Sequence, residues 1–294
     1  MSKSILDLIG NTPLVKSRVL NTNPNVDLYF KLEGHNPGGS VKDRPALNMI
    51  KNGLERGDFT EKSKLIEATS GNTGIGLALV AGIYGLDIEL VMPENSTVER
   101  IQTMRAYGAK VTLTSADIGI EGARDYAENK VNQEGFVMLN QFGNSDNWKA
   151  HYHTTGPEIW RDTNTKITHF VSSMGTTGTI TGTSTFLKEQ NSDIKIIGVQ
   201  PEEGTRIPGI RKWSPEYVPS IYDSSKVDDI LYVNQEEAVV MAKRLAKEEG
   251  VFSGMSSGGA ATVALRIAQQ LKEGVVVSIV CDRGDRYLSS DLFE

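Results

Sequence analysis

Lys64-Leu65-Ile66-Glu67-Ala68-Thr69-Ser70-Gly71-Asn72-Thr73-Gly74-Ile75-Gly76-Leu77 is the stretch on which the fold turns. Lys64–Ala68 predicts a short strand and Gly74–Tyr84 an apolar helix, joined by residues that carry hydroxyls and an amide. A strand handed to a helix through so short a turn is the repeating unit of a parallel sheet, whose neighbouring strands need a crossover between them. The start of such a helix presents free backbone N–H groups. With the hydroxyls of Thr69, Ser70 and Thr73 they suit an anion, and a substrate carboxylate is the natural candidate. Ser, Thr and Asn are also good helix caps, so this turn alone reads as a cap at least as readily as a site.

The alternation continues outward in both directions. Leu28–Leu32, Ile88–Met92, Lys110–Thr114, Ile167–Ser173, Ile194–Val199 and Val275–Cys281 read as strands. Val41–Arg56, Ser96–Tyr107, Gly122–Asn132, Thr179–Glu189, Glu236–Glu249 and Gly258–Leu271 read as helices. The pattern predicts an α/β protein whose parallel sheets are covered on both faces. Glu236–Glu249 is the clearest helix, with an acidic first turn, a stripe of Ala238, Met241, Ala242 and Leu245, and Gly250 at its stop. The polar cluster Gly143–Asn147, ahead of a helix rich in aromatic residues, marks an expected domain boundary. Thr205–Ser225 holds three prolines and several aromatic residues without a period, and reads as a long ordered loop lying over a site.

With 294 residues, 38% of them apolar and 23% charged, the chain is long enough for two cores. A net charge of −6 with both signs interspersed leaves no basic face for nucleic acid or an anionic membrane. Met1–Gly10 mixes Lys3 and Asp7 into few apolar residues, unlike a secretory signal. The run Val275–Val280, interrupted by Ser278, falls far short of the roughly 20 residues that span a bilayer. A cytoplasmic protein that meets small molecules and a second copy of itself is expected. The single cysteine, Cys281, excludes an internal disulfide and a thiolate zinc cluster. His151-x-His153 invites a metal reading, but a helix splays side chains two residues apart and no third ligand is evident, so no metal is expected.

Three further segments lead into helices. In Asn36-Pro37-Gly38-Gly39-Ser40-Val41-Lys42-Asp43-Arg44 a glycine pair feeds a helix with Lys42 in its first turn. A lysine held there and sheltered from water favours its neutral amine, which condenses with an aldehyde, whereas an isolated helix-start lysine is ordinarily solvated. Ser173-Met174-Gly175-Thr176-Thr177-Gly178-Thr179 allows close backbone approach and adds donors, yet lacks the lysine of a nucleoside-triphosphate loop and the spacing of a dinucleotide loop. A monophosphate fits it. Gly254-Met255-Ser256-Ser257-Gly258-Gly259 opens a helix with hydroxyls and small residues, and a serine can hydrogen-bond a pyridine nitrogen without forcing a proton onto it. Cys281, at the end of an apolar run, reads first as a small buried hydrophobe and second as a residue lining a site.

Taken together, these four segments resemble the pyridoxal-phosphate enzymes of fold type II, and most closely the cysteine synthase/cystathionine β-synthase family. The match runs from Gly10-Asn11-Thr12-Pro13-Leu14 to Gly284-Asp285-Arg286-Tyr287-Leu288. The resemblance implies a tryptophan synthase β-like fold of two α/β domains, each with a mostly parallel sheet flanked by helices. A smaller, mobile domain would span 35–146 and carry the carboxylate loop. The larger, 1–34 plus 147–294, would carry the phosphate loop, with pyridoxal 5′-phosphate in the cleft between them. It further implies that Lys42 is the Schiff-base lysine and general base and that Asn72 lies beside the cofactor 3′-oxygen. Thr69, Ser70, Thr73 and Gln141 would hold the substrate carboxylate. Gly175, Thr176, Thr177, Gly178 and Thr179 would bind the 5′-phosphate, and Ser256 would face the pyridine nitrogen. The implied reaction is a β-replacement through an aminoacrylate, turning O-acetyl-L-serine and sulfide into L-cysteine and acetate in a homodimer.

Within the family, Asn36–Ser40, Pro208-Gly209-Ile210-Arg211-Lys212-Trp213 and Cys281-Asp282-Arg283-Gly284-Asp285 are similar to the B form. That form also accepts thiosulfate, giving S-sulfocysteine, which calls for room and for positive charge that Arg211 and Lys212 supply, with Cys281 a further candidate for lining the site. B-form relatives often carry a second arginine where Lys212 stands. The A form and cystathionine β-synthase share much of this core and stay open as alternatives, as does a catalytically silent regulatory member.

Overall fold

The computed structural model describes residues 4–293; residues 1–3 and 294, which the expected domain bounds and the reading of Met1–Gly10 take in, lie outside the described residues. In chain order the elements are β1 (Leu14–Lys16), β2 (Val26–Leu32), α1 (Asp43–Arg56), β3 (Lys64–Ala68), α2 (Asn72–Tyr84), β4 (Asp87–Pro93), α3 (Val98–Ala106), β5 (Lys110–Thr114), α4 (Gly119–Glu134) and β6 (Val137–Met138). There follow α5 (Ser145–His153), α6 (Thr155–Asp162), β7 (His169–Ser173), α7 (Gly178–Gln190), β8 (Lys195–Pro201), β9 (Asp229–Val233), α8 (Gln235–Glu249), α9 (Met255–Gln270) and β10 (Gly274–Val280).

A six-stranded sheet runs β1-β2-β10-β7-β8-β9 and a four-stranded sheet runs β5-β4-β3-β6. Every pairing is parallel except β1 against β2. The expected α/β architecture of mostly parallel sheets is therefore what the chain adopts. β1, β6 and β9 escape the sequence reading, and all three are sheet edges. β1 and β6 are only three and two residues long, and β9 buries little beyond Val233, so none carries a clear apolar period.

Helix ends follow local chemistry. The first helix opens at Asp43 rather than Val41, which makes Lys42 the capping residue and not part of the first turn. Asn234 and Glu237 form a reciprocal capping box at the start of α8, and Gly250 closes it in the left-handed conformation. The aromatic-rich helix after residue 144 is broken at Thr154 (φ −129°, ψ −68°) into α5 and α6. Pro157 sits in the first turn of α6, where its missing N–H costs nothing.

Each sheet has its own core. Val26, Leu28, Val171, Val199, Leu245 and Val263 pack on the larger sheet, and Ile50, Leu65, Ile75, Leu77, Leu90 and Met104 on the smaller. Side chains as deeply buried as Leu65 or Leu77 contribute about 1.5–3 kcal/mol each. α2 is apolar all round because α1 covers it as well: a Cβ on Gly76 would lie 3.1 Å from both Ala46 Cβ and the Lys42 carbonyl oxygen. Strand ends of both sheets, Ala68, Ser173 and Val280, thus lead into the loops singled out above. Among the described residues no helix is long and apolar enough to cross a membrane.

Candidate active site

The loop before α1 is stitched to the end of β10. Ser40 and Asp282 form an antiparallel bridge, the Val41 N–H donates to the Cys281 carbonyl (2.8 Å), and the Arg283 N–H donates to the Gly39 carbonyl (3.3 Å). Gly39 has φ +80° here, a conformation that favours glycine. This places Lys42 beside Cys281 and Asp282. Burial disfavours the Lys42 ammonium and pushes its pKa down, against the opposing pull of those two neighbours. An amine kept available in this way is what a carbonyl condensation needs.

The β3–α2 turn lies across from it. Thr73 donates its hydroxyl to Gln141 Oε1 at 2.7 Å, and both side chains are buried. Thr69 is buried at the start of the turn and accepts from the Gly71 N–H (3.3 Å), while Ser70 is half-buried. Asn72 opens α2. Its Nδ2 donates to Asp282 Oδ2 (2.7 Å) and its Oδ1 accepts from Arg286 Nη1 (2.6 Å).

The β7–α7 turn is tightly framed. Thr177, the cap of α7, has φ +69°, an uncommon conformation for a β-branched residue and the kind of strain that gathers at sites. A Cβ on Gly175 would meet the Gly209 carbonyl oxygen at 2.9 Å, and one on Gly178 would meet Asn147 Oδ1. Asn147 Nδ2 donates to the Gln141 carbonyl (2.6 Å) and to Thr176 Oγ1 (3.3 Å), so it links the two loops. The Thr205–Ser225 segment covers this turn as expected of a loop over a site: the Arg211 N–H donates to the Met174 carbonyl (2.8 Å) and Trp213 Nε1 to the Gly175 carbonyl (2.9 Å).

His151 lies on α5, in the expected helical setting, turned into the core while His153 is exposed. Its Nδ1 meets Thr155 Oγ1 at 2.9 Å and its Nε2 meets Thr179 Oγ1 at 3.4 Å. Burial, with Arg44 nearby, pushes its pKa down to about 3, so it is a neutral partner for the Thr179 hydroxyl. Ser256 is buried in the first turn of α9, where Ser173 Oγ donates to its carbonyl (2.7 Å). Nearby, the Cys281 N–H donates to Ser257 Oγ (2.9 Å), and burial pushes the pKa of the Cys281 thiol up to about 12. Cys281 is thus a half-buried thiol, not a thiolate, packed against the core of Phe170 and Ile279.

Arg211 stands apart from this cluster, exposed, with its guanidinium 5.2 Å from the centre of the Trp213 ring. Lys212 forms an exposed ion pair with Glu203 (2.5 Å).

The sequence reading missed Asp282 and Arg286 as partners of Asn72, Asn147 as the link between loops, and a buried ion network beneath Lys42. In that network Arg44 bonds both Glu33 (2.7 Å) and Glu158 (2.7 Å), and Lys31 bonds Glu158 (2.8 Å). Thr12 donates to Glu33 (2.6 Å) and the Asn11 N–H to Glu158 (2.9 Å), which gives the Gly10–Leu14 segment its structural reason. Lys31 inside β2 and Glu33 just after it, beside the apolar Leu28 and Phe30, were the available signal.

Pyridoxal 5′-phosphate fits these residues. Lys42 offers an amine, the uncharged Ser256 offers a hydroxyl, and the Gly175–Thr179 turn offers hydroxyls and helix-start N–H groups where added Cβ atoms would intrude. A family model described as pyridoxal-phosphate dependent enzyme matches residues 5–282. The chain belongs to the pyridoxal-phosphate dependent enzymes. Pyridoxal phosphate is accordingly its cofactor. The chain is similar to cysteine synthase B of Pseudomonas aeruginosa, 56% identical over 99% of this chain and 97% of that one. Cysteine synthase B of Escherichia coli is 53% identical over 97% of this chain and 94% of its own length. Among solved structures, the cysteine synthase of Entamoeba histolytica superposes with a TM-score of 0.94 at 36% identity, covering 100% of this chain and 91% of that one. The type II architecture of this pyridoxal-phosphate dependent enzyme is thus common to its relatives.

Proposed function

We propose that this enzyme is a cysteine synthase that exchanges the acetoxy group of O-acetyl-L-serine for sulfide, releasing L-cysteine and acetate. The observation that carries this reading is the placement of a desolvated Lys42 amine beside Asp282, which Asn72 bonds, in a chain more than half identical to two cysteine synthases B. The cofactor, when bound, supplies a sink for the electron pair left at the substrate α-carbon. Lys42 is the group that takes the α-proton, and its lowered pKa leaves the amine free to do so. The Cβ–O bond then breaks and acetate leaves; hydrosulfide forms the Cβ–S bond, and the Lys42 ammonium returns a proton to the α-carbon.

In this reading Thr69, Ser70, Thr73 and Gln141 take the substrate carboxylate, and Gly175, Thr176, Thr177, Gly178 and Thr179 take the phosphate. Asn72 lies at the 3′-oxygen and Ser256 at the pyridine nitrogen. A neutral serine there leaves the ring a moderate sink, suited to elimination over a long-lived carbanion. Residues 35–146 act as a smaller moving domain against 1–34 plus 147–294, and the enzyme is a cytoplasmic homodimer. The B form is favoured, with thiosulfate as a second sulfur donor. Arg211 and Lys212 supply the positive charge for that anion in this reading.

Borohydride trapping followed by peptide mapping tests the assignment: the label belongs on Lys42, and Lys42→Ala has no covalent adduct and no turnover. Initial rates with O-acetylserine plus sulfide, thiosulfate or homocysteine then set the donor. A preference for homocysteine would replace this reading with a cystathionine β-synthase.

A further inference from the structure

We propose that Glu67 is a positioning residue for the substrate carboxylate, because its side chain continues the sheet where β6 stops and so fixes the turn that delivers Gln141 to Thr73. The proposal deepens the reading above and rests on it, since it takes Thr73 and Gln141 as part of the carboxylate site.

β6 pairs with β3 at Leu65–Val137 and Ile66–Met138, and there the ladder ends. Two residues further the chain turns away at Asn140, with φ +53°. Backbone N–H groups that leave a sheet in the interior need other acceptors. Glu67, only 3% exposed at the end of β3, provides them: its Oε2 accepts from the Asn140 N–H (3.0 Å) and its Oε1 from the Gln141 N–H (3.4 Å). With its backbone held, Gln141 meets two partners. Its Oε1 takes the Thr73 hydroxyl (2.7 Å), and its carbonyl takes Asn147 Nδ2 (2.6 Å), which reaches on to Thr176 (3.3 Å). Glu67 thereby sets the register between the carboxylate turn and the phosphate turn.

A carboxylate is the group this position calls for. Two adjacent N–H donors match two acceptor oxygens, whereas a glutamine would set its own NH2 against one of them. Burial pushes the Glu67 carboxyl up to about 7, opposed by the N–H groups of Asn140, Gln141 and Leu139 and by the charge of Arg124. A buried, costly carboxylate bonded to the backbone of a ligand-bearing turn, with no cation among its hydrogen-bond partners in the described residues, is suited to holding that turn in place.

The test uses the holoenzyme and compares Glu67→Gln, Gln141→Ala and the double variant. Each is titrated with O-acetyl-L-serine and with its α-carboxamide analogue, read by the change in cofactor absorbance. Glu67→Gln is expected to weaken O-acetylserine binding about tenfold, to leave the carboxamide within about twofold, and to keep the borohydride label on Lys42. In the Gln141→Ala background the same change should add less than about twofold, since both act through one contact. If Glu67→Gln binds both ligands like the parent, or weakens both alike, Glu67 has no such part. Should Gln141→Ala itself leave O-acetylserine binding unchanged, the carboxylate reading fails, and the proposal with it. Glu67→Asp, which keeps the charge but shortens the reach, carries the same comparison if the glutamine variant does not fold.

Discussion

Asn72 donates its amide N–H to Asp282 across 2.7 Å, and this bond ties the first turn of α2, on the smaller sheet, to the chain leaving the larger one. Arg286 holds the opposite end of the same amide, so oxygen and nitrogen are both assigned and the group cannot turn over without losing two hydrogen bonds. Arg286 also donates to the Gly38 carbonyl in the loop that leads to Lys42, and Tyr287 donates to Asp282 at 2.6 Å. The residues after β10 therefore set Asn72 and Lys42 relative to one another.

Replacing Arg286 by methionine is expected to free the Asn72 amide while keeping most of the apolar stem. Loss of a charged hydrogen bond at that amide should raise the cofactor dissociation constant roughly tenfold, equivalent to about 1.4 kcal/mol. Fluorescence titration of the stripped protein with pyridoxal phosphate measures it, and an unchanged constant would count against the bracket.

Gly178→Ala places a methyl group where Asn147 Oδ1 already sits. Cofactor affinity should fall at least about tenfold, with the protein still folded, because the turn must shift by more than its contacts tolerate. Adding Asn147→Ser, which removes the colliding oxygen, should recover part of the loss. An unaltered affinity in Gly178→Ala alone would mean that the turn does not hold the phosphate.

Arg44→Met leaves Glu33 and Glu158 buried without their shared cation. Breaking a buried pair from one side costs about 3–5 kcal/mol, so the urea midpoint should fall steeply. The effect should shrink at low pH. Burial alone would raise the Glu158 pKa, but the bonds from Arg44 and Lys31 hold it down to about 2. Its contribution is present above the unfolded value near 4.5 and is lost as pH falls toward 2.

His151 adds a second acid sensitivity. Held neutral with a pKa of about 3, it stays unprotonated in the folded protein while the unfolded chain gains a proton below 6.5. Stability is therefore lost as pH drops from 6.5 toward 3. Between pH 7 and pH 5 the parent should lose about 2 kcal/mol more than His151→Gln, measured by urea unfolding at both values. Glu67 and Asp43, both with carboxyls raised to about 7 by burial, shift stability the other way over this range. They are common to both proteins, so their effect cancels in the comparison.

The residues themselves were enough for the α/β rhythm and for the strand–turn–helix units around Asn72 and Thr177. Each of those rests on spacing within a few positions, where apolar period and turn chemistry act locally. Tertiary structure decided what local spacing cannot encode. Asn72 meets Asp282 from 210 positions away and Arg286 from 214, and Glu67 meets Asn140 from 73. The edge strands β1, β6 and β9 likewise owe their form to a neighbouring strand more than to any pattern of their own. Lys212, too, meets Glu203 only once the chain has folded. Partners of this kind exist only once two separate cores have packed and buried polar groups must find whichever donors and acceptors the packing leaves beside them.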